Sequence, residues 1–129
     1  MPKVSTIAID GPAASGKTVV GRLLSAQLGF QYLDTGLMYR AVTLAAIKQS
    51  TPISDTIALT NLAADTQITI TDTPDGTRVL LNSNDVTSSL RDAEVEAIVS
   101  QVAAVAGVRS VLVAKQRDIA AAGSIVMAG

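Results

Sequence analysis

A chain of 129 residues, 48% hydrophobic but only 2% aromatic, is sized for one domain whose core is built from small and branched aliphatic side chains. Its formal net charge of −1 gives nucleic acid or an anionic membrane no general attraction, so a phosphate-bearing partner has to be recognised locally. Cysteine and histidine are both absent, which excludes disulfides, thiolate nucleophiles, imidazole bases and most zinc sites, and leaves carboxylates, hydroxyls, lysine and arginine for chemistry.

The N-terminal Met-Pro-Lys-Val lacks a basic segment followed by an apolar stretch, and no run approaches the roughly 18 apolar residues of a membrane span, so a cytoplasmic location is the default expectation. Residues 5–9, Ser-Thr-Ile-Ala-Ile, predict a buried strand. Gly11, Pro12, Ala13, Ala14, Ser15, Gly16, Lys17 and Thr18 then fit G-x-x-x-x-G-K-[ST], the phosphate-loop pattern. Glycine at both ends lets backbone amides converge on a β-phosphate, and a helix starting near Lys17 points its positive dipole end at the same anion. Lys17 is expected to reach the β- and γ-phosphates of ATP, and the Thr18 hydroxyl to ligate the accompanying Mg²⁺. Val19, Val20, Leu23, Leu24 and Leu28 give that helix an apolar face, so strand, loop and helix occur in the order the motif requires.

A short strand over 30–33 and a helix over 36–48 follow, giving the first 49 residues α/β character. After the break at Ser50-Thr51-Pro52, Ser54 can cap a short helix through Ile57, Leu59 and Leu62. The period then changes: 67–71 and 77–81 alternate, with the turn signal Thr73-Pro74-Asp75-Gly76 between them, which predicts a small antiparallel hairpin. Beyond the polar stretch 82–89, Val95, Ile98, Val99, Val102 and Val105 line one face of a helix that Gly107 should end. A last helix carries Val108, Val111, Leu112 and Ile119 as far as Gly123, and 124–128 predicts a buried strand. In a doubly wound sheet, ligands bind beyond the carboxyl ends of such strands, so the chain is expected to be a fragment that omits a following loop.

A second cluster, Asp34, Thr35 and Arg40 within Leu-Asp-Thr-Gly-Leu-Met-Tyr-Arg, brings carboxylate, hydroxyl and guanidinium to a strand-to-helix turn. It suits an acceptor nucleotide whose phosphate pairs with arginine. Spacing alone leaves equally open that Asp34 or Thr35 caps the helix and that Arg40 is a solvated charge.

Taken together, Ile-Asp-Gly-Pro-Ala-Ala-Ser-Gly-Lys-Thr, Tyr-Leu-Asp-Thr-Gly-Leu-Met-Tyr-Arg-Ala at 32–41, Asn84-Asp85-Val86-Thr87 before Leu90-Arg91, Ser100-Gln101-Val102-Ala103, Val108-Arg109, Gln116-Arg117 and the closing Val-Met-Ala-Gly resemble bacterial cytidylate kinase across essentially the whole chain. The resemblance implies a P-loop NTPase fold of the nucleoside-monophosphate-kinase type. Its parallel sheet would be flanked by helices, with a small antiparallel β/α acceptor-binding region inserted at about 50–107, a return to the core at 108–129 and the C-terminal part missing. It implies transfer of the ATP γ-phosphoryl group to CMP or dCMP, with no nucleic acid, membrane or obligate protein partner. The family's loop maps onto residues 11 to 19, including Val19, and its acceptor site onto Asp34, Thr35, Arg40, Ser100 and Arg109. By the resemblance Lys17 and Arg40 carry catalysis, Arg40 by holding the acceptor phosphate, while Ser100 and Arg109 read the cytosine. Arg91, Gln116 and Arg117 read as structural.

Two departures stand out. The family often has a second hydroxyl after the loop lysine where this chain has Val19, and it continues past the final glycine into an Arg-Asp pair and an arginine-bearing lid. Phosphoryl transfer depends on such arginines, so the isolated 129 residues are expected to be weak or inactive and marginally soluble. Two alternatives share residues 11–18: another small-molecule P-loop kinase, which has no evident need of the hairpin or Ser100, and a module that binds ATP without transferring phosphate.

Overall fold

The computed structural model describes residues 4–11, 16–73 and 75–129. Six strands and five α-helices run in the order β1 (Thr6–Ile9), α1 (Lys17–Leu28), β2 (Gln31–Asp34), α2 (Thr35–Lys48), α3 (Thr56–Asp65), β3 (Ile68–Thr73), β4 (Gly76–Leu81), β5 (Asn84–Asp85), α4 (Ala93–Ala103), α5 (Ala106–Ala121) and β6 (Ile125–Ala128), among the described residues. A 3₁₀ turn at Thr87–Ser89 precedes α4. The chain divides into two compact units, Met1–Gly36 with Lys115–Gly129, and Leu37–Ala114.

In the first unit β6 lies between β1 and β2, all parallel. The last strand therefore inserts between the first two, which is the arrangement that βα crossovers produce. Tyr32, Val126 and Ala128 form its buried centre, with Ile7, Ile9, Leu24 and Phe30 packed around them. Helix α1 approaches the sheet closely because Gly21 has no side chain. A Cβ there would stand 2.7 Å from Cε1 of Tyr32 and 3.7 Å from Cβ of Ala128. The Arg22 guanidinium rests over the Tyr32 ring, 4.9 Å from its centroid.

The second unit is built on the antiparallel sheet β3-β4-β5, registered by Ile70 opposite Val79 and Leu80 opposite Asp85. Alternation along β4 buries Val79 and Leu81, which join Ala41, Leu44 and Ala45 of α2, Val86, Leu90, and Val95 of α4 in a continuous apolar core. The hairpin turn expected around Gly76 is present, with Gly76 at φ 124°, while Pro74 lies outside the described residues.

Several expectations need correction. The strand over 5–9 is not buried: among the described residues β1 pairs only with β6, and Thr6 and Ala8 are exposed. The apolar face assigned to α1 is largely open, with Val19, Val20, Leu23 and Leu28 at 63, 54, 60 and 46% exposure, because the helix meets the sheet through Gly21 and Ser25. Helix α3 is capped by Asp55, whose carboxylate accepts from the Ala58 amide at 3.0 Å, rather than by Ser54. Gly107 does not end α4, which stops at Ala103; it sits in the first turn of α5, where a Cβ would collide with the Thr60 hydroxyl. Close packing of α5 on α3, not a left-handed cap, explains that glycine.

Candidate functional site

Register places Ile9, Ala128 and Asp34 on one row at the carboxyl ends of the three parallel strands. With roughly 4.8 Å between neighbouring strands, Ile9 and Asp34 lie about 10 Å apart across Ala128. The Gly129 amide donates to the Ile9 carbonyl at 3.2 Å, and the Thr35 hydroxyl donates to the Ala128 carbonyl at 3.2 Å. This edge is where open α/β sheets bind ligands.

Asp10 and Gly11 leave the edge from β1, and Gly16 starts α1 as its N-cap at φ 83°. That left-handed conformation is one a Cβ would strain, so glycine at position 16 is required by the turn into the helix. Helix α1 has no side-chain cap and no acidic residue in its first turn. Among the described residues its first amides thus have no side-chain cap and its dipole no acidic partner in the first turn, a combination that an anion satisfies. Lys17 Nζ donates to the Gly11 carbonyl at 2.7 Å, so the ammonium is held against the loop from which the helix springs. Thr18 is exposed one residue on. Pro12, Ala13, Ala14 and Ser15 lie outside the described residues; Val19 is described, and its side chain is exposed.

Asp34 ends β2 and accepts from the Gly36 amide at 3.0 Å through Oδ1, closing the turn into α2. Thr35 spends its hydroxyl proton on Ala128 but keeps its oxygen lone pairs. Asp34 and Thr35 thus belong to the unit that carries Lys17, whereas Arg40, Ser100 and Arg109 belong to the other.

Within that second unit, Arg40 projects from α2 and donates through Nη1 to the Glu96 carboxylate at 2.6 Å and to the Leu90 carbonyl at 3.2 Å. Its side chain is only 19% exposed, so it is not the freely solvated charge that spacing had left open. Glu96 stands one turn before Ser100 on α4, and residues four apart share a helix face. Ser100 is exposed. Arg109, in the first turns of α5, donates to the carbonyls of Ala103 and Ala104 at 3.2 and 2.7 Å, covering the C-terminal carbonyls of α4. Its charge also reaches Tyr39, whose hydroxyl burial pushes above the ordinary tyrosine value while Arg109 pulls it back. The Arg40 pair has the reverse effect on its partner: hydrogen bonding and charge from Arg40 hold the Glu96 carboxyl below its ordinary range.

Glu96 and Tyr39 are the site neighbours that sequence reading did not single out. Tyr39 was visible only as part of a motif, and Glu96 looked like an ordinary N-terminal helix acid, which is also what its place in the first turn of α4 suggests. Among the described residues no cluster of acidic side chains is arranged to hold a metal by itself. Thr18, exposed beside the start of α1, has the hydroxyl that a Mg²⁺ ion accompanying a nucleotide would use as a ligand. Among the described residues no single helix is long and apolar enough to cross a membrane.

The family model described as cytidylate kinase matches residues 7–129. A cytidylate kinase of Symbiobacterium thermophilum is 47% identical over 124 residues, covering 95% of this chain and 55% of the relative. One from Pelotomaculum thermopropionicum is 48% identical over 130 residues, covering 100% of this chain and 58% of the relative. A bifunctional pantoate ligase/cytidylate kinase of Synechococcus is 46% identical over 131 residues, or 99% of this chain and 24% of the relative. The chain thus spans little more than half the length of the single-function relatives it matches. On the breadth of these matches, the chain belongs to the cytidylate kinase family.

Proposed function

We propose that these residues serve the transfer of the ATP γ-phosphoryl group to CMP or dCMP, yielding CDP or dCDP and ADP. The observation that carries the reading is the uncapped start of α1 at the carboxyl edge of a parallel sheet, with Lys17 held 2.7 Å from the Gly11 carbonyl, in a member of this family. A triphosphate displaces Lys17 from that carbonyl and takes its ammonium, together with the first amides of α1. Thr18 would hold the Mg²⁺ that accompanies ATP, and the ion would supply neutralisation of charge on the phosphates.

On the acceptor side, Arg40 holds the phosphate, Asp34 and Thr35 line the strand end, and Ser100 and Arg109 read the base. An oxygen of the CMP phosphate forms the new bond to the γ-phosphorus, while the bond from that phosphorus to the β–γ bridging oxygen breaks and ADP leaves with the electron pair. A dianionic phosphate needs no base to remove a proton, so a chain without histidine is suited to the task. Alignment and positive charge are what the reaction asks for, and Lys17 and Arg40 supply them.

The test is calorimetry with Mg·ATP. Lys17→Ala is expected to weaken binding roughly ten- to a hundredfold, the scale of a lost charge-assisted hydrogen bond. Unchanged affinity refutes the cradle. Comparing CMP, UMP and AMP as ligands tests the acceptor assignment, with CMP expected to bind most tightly. The isolated chain is expected to turn over CMP far below ordinary kinase rates, and turnover at an ordinary rate would show that the residues present suffice.

A further inference from the structure

The two contacts of Arg40 differ in kind. The Leu90 carbonyl belongs to backbone beside a side chain that is 1% exposed, so it stays in place. The Glu96 side chain is 50% exposed at the first turn of α4 and can rotate into water. Both contacts use Nη1, which leaves Nε and Nη2 without a protein partner among the described residues. Arg91, itself exposed, lies near enough for its charge to favour the ionised Glu96 carboxylate as well, so Glu96 has a second cation to turn towards.

Resting on the acceptor-site reading above, we propose that Glu96 is a resident counter-ion of Arg40 which the phosphate of a nucleoside monophosphate displaces, and that this competition sets the acceptor affinity of the chain. A phosphate dianion carries more charge than a carboxylate and can engage two guanidinium edges at once, so the exchange runs in its favour. Its cost is one half-exposed ion pair, partly recovered as Glu96 turns to Arg91. Through the Leu90 carbonyl Arg40 stays anchored during the exchange and does not need to be repositioned. Because Ser100 lies one turn beyond Glu96 on the same face of α4, outward rotation of Glu96 also clears the approach to that serine.

The experiment titrates CMP, and cytidine as its phosphate-free counterpart, into the 129-residue chain and the variants Glu96→Gln, Glu96→Ala, Arg40→Ala and Arg91→Ala. Both Glu96 variants are expected to bind CMP roughly two- to fivefold more tightly, the scale of one exposed ion pair, with cytidine unaffected. Arg91→Ala is expected to weaken CMP binding while Glu96 is present and to have no effect in Glu96→Gln. The Glu96 carboxyl carbon resonance is expected to shift as CMP binds. Unchanged or weaker CMP binding by both Glu96 variants overturns the proposal, as does an equal gain for cytidine. If Arg40→Ala binds CMP as well as the parent, or neither the parent nor Glu96→Gln binds it, the acceptor-site reading falls and the counter-ion with it. If Arg40→Ala loses CMP and the Glu96 variants are indifferent, only the counter-ion falls.

Discussion

Replacing Gly21 by valine tests the contact that seats α1, and with it Lys17, on the parallel sheet. Helix propensity alone favours the change by a few tenths of a kcal/mol, since valine forms helix better than glycine. The packing opposes it. A single Cβ would already stand 2.7 Å from the Tyr32 ring, the ring is 5% exposed, and valine adds two further methyls. Overpacking of a close-packed contact costs roughly 1–3 kcal/mol, so the net expectation is a loss of about 2 kcal/mol. For a chain of this size that lowers Tm by about 6–10 °C, read by circular dichroism, with amide exchange accelerated in α1 and β2. Because the start of α1 carries Gly16 and Lys17, Mg·ATP affinity is expected to fall as well. A Tm equal to or above the parent's would refute the close-approach argument. So would equal losses in the presence and absence of Tyr32→Leu, because a smaller, deformable partner should relieve the clash.

Removing the α3 cap by Asp55→Ala is expected to cost about 1 kcal/mol, read as a lower urea midpoint, whereas Ser54→Ala should leave the midpoint unchanged. Asp85 accepts from the hydroxyl and amide of Thr87 and pairs with Arg78 at 2.5 Å; these contacts, Thr87's first, hold its carboxyl below the ordinary 3.8. The stabilisation is therefore complete above that ordinary value and lost as pH falls through it towards the lower folded value, so urea midpoints of the parent and Asp85→Asn should converge on acidification. Midpoints that stay equally far apart would refute the linkage. Burial holds the Tyr39 hydroxyl neutral above its ordinary 10.0, a contribution present below that value and lost as pH rises through it, so Tyr39→Phe should resist alkaline unfolding better than the parent. The open face of α1 is expected to drive self-association, and Leu23→Lys should raise the monomer fraction seen by light scattering; an unchanged fraction would place the sticky surface elsewhere.

Legibility in the sequence followed the range of the interactions involved. The hairpin was legible because period-two alternation on both arms and glycine at position 76 act within a few residues, and the register of Ile70 with Val79 follows from them. The start of α1 was legible for the same reason: Gly16, Lys17 and Thr18 are contiguous, and the helix begins at Lys17 as expected. The spacing of Val19, Val20, Leu23 and Leu28 was also real, but periodicity reports only that residues share a face and says nothing of what covers it. Gly107 was misread because a glycine after an apolar helix has two explanations, a left-handed cap or a close approach, and only the position of Thr60 decides between them.

What the sequence by itself determined is the local structure: a strand and a helix on either side of a glycine-bounded stretch, a second strand-to-helix turn at Asp34-Thr35, and an antiparallel hairpin. Membership of the cytidylate kinase family was written in those same contiguous stretches. What only the tertiary structure decided is pairing between residues far apart in the chain. It inserted β6 between β1 and β2, brought the Thr35 hydroxyl to Ala128, and set Glu96 against Arg40 across 56 residues. The physical reason is that periodicity and turn chemistry act over a few residues, whereas a salt bridge or a parallel strand pair exists only once packing has met the loop-closure cost of bringing distant segments together.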